Sequence, residues 1–131
     1  MKKDIHIPEV TGLDVAVVFE YNDIYKCDDW NVYIINKKDV AIDMVVIVSK
    51  GFDGSLETSV MRKRIDSLPA NSFAKVELIQ PELFQLNNQF QVTFFEGNQL
   101  YDKTFTFAKN SIKEGNLRMI SSLNKRGILA K

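Results

Sequence analysis

Apolar and polar side chains exchange places at every second residue along much of this chain, and that period limits the fold more than any other feature. Between residues 13 and 21, Leu13, Val15, Val17, Phe19 and Tyr21 share one face of an extended ribbon, while Asp14, Ala16, Val18 and Glu20 share the other. Successive side chains of a β-strand point to opposite faces, so the pattern predicts a strand with one buried side. Further on, Phe90, Val92 and Phe94 alternate with Gln89, Gln91 and Thr93, and Tyr101, Phe105 and Phe107 with Asp102, Thr104 and Thr106. Gly97-Asn98 separates these two runs, and a glycine that tolerates positive φ makes them a tight hairpin.

The intervening segments read as strands too. Residues 30–36 and 42–49 are apolar on both sides, as expected of central strands. Residues 56–65 carry Glu57, Arg62, Lys63 and Arg64 among Leu56, Val60, Met61 and Ile65, the charge density of an edge strand guarded against strangers. Residues 73–79 place Ala74, Val76 and Leu78 inward and Lys75 and Glu77 toward water. Pro81 ends that strand, and residues 82–87 suit one helical turn, with Leu83, Phe84 and Leu86 plugging the core. Gly51-Phe52-Asp53-Gly54 reads as a turn between strands.

Seven short strands predict a mainly β fold: a seven-stranded antiparallel β-sandwich, immunoglobulin-like, with a barrel as the alternative that strand pattern does not separate. One domain spans residues 1–131, with its core at about 13–108 and a C-terminal helix or arm at about 110–131. Ser111 and Glu114 have capping-box spacing, and Ile112, Leu117, Ile120 and Leu123 fall roughly on one face. Lys125 and Arg126 suit a helix end before Gly127, whereas Gly115 and Ser121-Ser122 argue against a long helix.

Seventeen basic residues cancel seventeen acidic ones. Neutrality removes any long-range pull toward nucleic acid or anionic lipid, and also a safeguard against self-association. The single cysteine, Cys27, allows no internal disulfide. No secretory leader is recognisable, and no apolar run approaches the ~20 residues needed to cross a bilayer. These features lead to the expectation of a soluble cytoplasmic protein with no membrane contact.

Reactive constellations are sparse. A Cys-His dyad would require Cys27 and His6, with the histidine in an N-terminal arm that does not fix its geometry. The sequence contains no Gly-x-Ser-x-Gly elbow, no Cys-x-x-Cys and no histidine pair. Asp23, Asp28 and Asp29 lack EF-hand spacing and read as a solvated acidic loop. The glycines at 51 and 54 lie between strands, not before a helix that could cradle phosphate. Glu20 and Glu57 earn no acid–base role without a known separation. No catalytic residue, cofactor or metal is therefore expected.

Two surfaces stand out. Arg62 and Arg64 share a strand face and form a candidate basic patch, although neutral charge disfavours nucleic acid. Tyr33, Ile35, Phe73 and Phe95 each lie opposite the inward set of their strand. They form a candidate interaction surface for a protein or a second copy, unless the C-terminal segment covers them.

Ile7-Pro8-Glu9-Val10, Trp30-Asn31-Val32-Tyr33-Ile34-Ile35-Asn36, Val48-Ser49-Lys50-Gly51, Val92-Thr93-Phe94-Phe95-Glu96-Gly97-Asn98 and Lys125-Arg126-Gly127-Ile128-Leu129-Ala130 resemble a family of short bacterial proteins. Members are often labelled phenylalanyl-tRNA synthetase subunit alpha. The chain has neither a Phe-Arg-x-Glu nor a Gly-x-Gly-x-x-x-Arg motif, and it is too short for a synthetase catalytic domain. The resemblance thus implies no aminoacylation and brings no site residue with it. The leading expectation is a non-catalytic protein–protein interaction or self-associating module. An accessory tRNA- or synthetase-associated protein and a small-ligand-binding domain are the alternatives.

Overall fold

The computed structural model describes residues 8–131. His6 lies outside the described residues. Ten strands follow one another: β1 (Leu13–Asn22), β2 (Cys27–Asn36), β3 (Ile42–Asp53), β4 (Leu56–Glu57), β5 (Met61–Leu68), β6 (Ser72–Leu78), β7 (Asn87–Glu96), β8 (Gln99–Phe107), β9 (Arg118–Ile120) and β10 (Lys125–Leu129). They form two antiparallel five-stranded sheets and no barrel. The first has the order β6-β2-β1-β10-β9, the second β4-β3-β7-β8, with β5 also paired to β3.

Alternation explains the core. The β1–β2 ladder runs unbroken from Leu13↔Asn36 to Asn22↔Cys27, so Val15, Val17, Val32 and Ile34 face the same way. They meet Val45, Ile47, Phe90, Val92 and Phe94 of the second sheet in one dry cluster. The β7–β8 hairpin closes at Gly97-Asn98, with Gly97 at φ 60° and Glu96 opposite Gln99. A turn of 3₁₀ helix at Pro81–Gln85 plugs one end, and Phe84 meets the Trp30 ring edge-on at 5.3 Å. No helix among the described residues is long and apolar enough to cross a membrane.

Three expectations change. First, the described residues form ten strands rather than seven. The segment at 56–65 splits because Thr58 turns back onto β3, its N–H reaching the Gly51 carbonyl at 2.9 Å and its hydroxyl accepting from the Gly51 N–H at 2.8 Å. Second, Gly51, Phe52 and Asp53 belong to β3, and the turn falls at Gly54 (φ 62°). Third, residues 110–131 form no C-terminal helix beyond a 3₁₀ turn at Glu114–Asn116. Ser111 spends its hydroxyl on the Ala108 carbonyl at 2.6 Å instead of capping a helix. The chain then forms a β9–β10 hairpin that pairs with β1.

That hairpin lays Ile120 and Leu123 over Ala16, Val18, Tyr33 and Ile35 on the outer face of the first sheet. Gly127 makes the closure possible. A Cβ there would meet the Val17 carbonyl oxygen at 2.7 Å and the Ile120 side chain at 2.9 Å. We expect Gly127→Ala to lower stability by about 1–3 kcal/mol in urea unfolding, because backbone cannot yield cheaply. Gly115→Ala, where an added Cβ meets nothing within 4 Å, should change stability by no more than about 0.5 kcal/mol.

Candidate functional site

The most distinctive polar feature begins with a bulge. Asn31 and Val32 pair with Leu78 and Glu77, but Tyr33 pairs with Lys75, so Val76 is an extra residue in β6. A bulge reverses the alternation beyond it. Leu78, expected inside, is exposed, and Glu77, expected in water, turns between the sheets.

Glu77 enters a cleft of about 260 Å³ on the flank where β5 and β6 are both edge strands. Ser49, Gly51, Asn88 and Phe90 form the wall from the second sheet, Ile79 and Leu83 form the floor, and Met61 stands at the rim. The Ser49 hydroxyl donates to Glu77 Oε1 at 3.2 Å. Burial raises the Glu77 carboxyl above its ordinary value, and the Ser49 bond offsets only part of that rise. The Asn88 amide is committed to the carbonyls of Leu83 and Leu86 at 2.9 and 3.1 Å.

A second polar group sits at the rim of the outer face. Glu20 accepts hydrogen bonds from the Tyr33 hydroxyl at 2.7 Å, the Asn31 amide at 2.9 Å and the Lys125 ammonium at 3.0 Å. Burial alone would raise the Glu20 carboxyl, but these donors outweigh it and hold the group below its ordinary value. Tyr33 is pushed well up, by burial first, then by the bond it donates and the nearby charges of Glu20 and Asp29. The network ties the C-terminal hairpin to β1 and β2.

The four residues of the expected interaction surface do not form one. Tyr33 and Ile35 are 6% and 1% exposed beneath the C-terminal hairpin. Phe73 stands beside Tyr33 with ring centroids 5.9 Å apart and stays partly open, whereas Phe95 belongs to β7 in the other sheet. Arg62 and Arg64 do share a face of β5, opposite Val48 and Val46, and Arg64 pairs with Asp66 at 3.1 Å. Glu57 pairs with Lys50 at 3.5 Å, in the sheet opposite Glu20. Cys27 is exposed at the start of β2. Among the described residues, no group of three or more His, Cys, Asp or Glu side chains is placed to hold a metal ion.

Among the described residues, the most exposed large apolar side chains lie where the acidic loop was expected to be merely wet. Ile24 and Tyr25, in the β1–β2 turn, are 83% and 74% exposed. Asn22 Oδ1 accepts from both their N–H groups, at 2.9 and 3.2 Å, and this pins the turn. Tyr25, Cys27, Trp30, Leu78 and Pro81 line an adjoining groove of about 480 Å³. The available signal was two large apolar residues in an acidic turn, where no alternation calls for them.

Compared with known proteins, the chain matches no family model, no curated protein and no solved structure.

The two glutamates should respond oppositely to pH. The folded value of Glu77 lies above its ordinary 4.5, so its contribution to stability is greatest below that value and declines as pH rises through the folded one. Glu77→Gln should therefore match the parent in acid and exceed it at neutral pH. The folded value of Glu20 lies below 4.5, so Glu20→Gln should weaken the fold at neutral pH, and the deficit should vanish as pH falls through the folded value. Urea unfolding of each variant across a pH series checks both signs.

Proposed function

We propose that this chain is an immunoglobulin-like sandwich that acts as a protein-binding module, with the tip of the β1–β2 hairpin as its contact surface. The arrangement of the seven longest strands supports the classification. β6-β2-β1 faces β5-β3-β7-β8, with the first hairpin in one sheet and the last long hairpin in the other. Such alternation between sheets is the habit of immunoglobulin-like sandwiches. The β9–β10 hairpin is then an addition at the free edge of β1.

The observation that carries the functional reading is the exposure of Ile24 and Tyr25 on a turn held by side-chain hydrogen bonds. Exposed apolar groups beside a groove gain free energy when a partner removes them from water. Tyrosine is well suited to this, offering contact area with few torsions to freeze. Asp23 and Asp28 are exposed around the tip, so a partner presenting basic groups fits best. A second copy is one such partner, because the neutral chain carries Arg62 and Arg64 on its β5 face.

Site-specific photo-crosslinking tests the reading. A benzophenone side chain at Tyr25 should give a discrete protein adduct in lysate from cells that produce the chain, at twice the chain mass if the partner is a second copy. The same probe at Thr93, on the polar outer face of β7, should give none. Ile24→Ser should weaken capture by about 2 kcal/mol, roughly thirtyfold. Equal labelling from both positions, or no adduct from Tyr25, would remove the tip as a binding surface.

A further inference from the structure

We propose that the cleft between β3, β6 and β7 binds an aliphatic ammonium group, with Glu77 as its counter-ion and Ser49 as the group that positions the carboxylate. This goes beyond the tip reading and does not depend on it.

The bulge at Val76 turns a carboxylate into an otherwise largely apolar space, where the plain alternation of β6 would have left it in water. Among the described residues, the Glu77 carboxylate takes one hydrogen bond, from Ser49 to Oε1, and no ion pair. A half-buried charge without a cation is costly, and the cost is relieved by an opposite charge that arrives with its own N–H donors. Lys50 lines the same cleft but makes no ion pair with Glu77. It pairs with Glu57 at 3.5 Å and lies 5.9 Å from the Phe52 ring centroid.

The rest of the cleft selects the shape of the guest. Ile79, Leu83, Phe90 and Met61 offer apolar contact to an alkyl stem, and Oε2 of Glu77 is left to accept from the ammonium. A volume of about 260 Å³ is room enough for a short alkyl chain. An anion would be repelled by Glu77, and an alcohol would leave its charge uncompensated. A free alkylamine and the side chain of a lysine share the required chemistry.

Titration of the isotopically labelled chain with n-pentylamine and, separately, n-pentanol at neutral pH tests the assignment without altering the protein. The amine should shift the amides of Ser49, Gly51 and Asn88, and bind at least about tenfold more tightly than the alcohol. In Glu77→Gln the amine should fall to the affinity of the alcohol. Cadaverine and Nα-acetyl-lysine amide then distinguish a free amine from a protein side chain as the better occupant. Equal binding of amine and alcohol, shifts confined to other parts of the surface, or unchanged amine binding in Glu77→Gln would overturn the proposal.

Discussion

Removal of water from the layer between the two sheets is the event on which the other contacts depend. Val15, Val17, Val32 and Ile34 can meet Phe90, Val92 and Phe94 only if each strand turns its apolar set the same way. The ladder hydrogen bonds make that condition strict, because a slip of one residue would carry a whole set into solvent. The unbroken β1–β2 register and the β7–β8 hairpin are thus the frame of the molecule. Trp30, packed between Phe19 and Phe84, seals one end of the layer.

Within such a frame, a bulge is the economical way to put a polar group where the pattern forbids one. Two register shifts occur among the described residues: near Met44 in β3, at φ 49°, and at Val76 in β6. The second turns Glu77 into the cleft. Glu77 and Glu20 show how surroundings decide the behaviour of the same side chain. Glu20 gathers three donors, one of them charged, and is held in its ionised form. Among the described residues, Glu77 has a single neutral donor, and burial dominates. The difference lies in the number of hydrogen bonds to the charged form, not in burial alone.

The C-terminal hairpin determines which apolar surface remains open. Tyr33 and Ile35 lie on the outward parity of β2 and could have met a partner, but Ile120 and Leu123 take that place in the same chain. A bare glycine at 127 and the Lys125–Glu20 pair make the docking possible. Among the described residues, Ile24 and Tyr25 at the β1–β2 tip remain the most exposed of the large apolar side chains.

The sequence alone was enough for the mainly β character, the Gly97-Asn98 hairpin, the central position of β2 and β3, the charged edge at Arg62 and Arg64, and the plug at Leu83 and Phe84. Each of these rests on a local rule: period, turn chemistry or charge density. The cover over Tyr33, the separation of Phe73 from Phe95, the conversion of the tail into strands and the inward turn of Glu77 were decided only in three dimensions. They depend on which segments distant in sequence become neighbours, as when Lys125 meets Glu20 or Thr58 folds back on Gly51. A one-residue bulge leaves no mark in hydrophobic period, yet it changes the side on which every later residue of its strand stands.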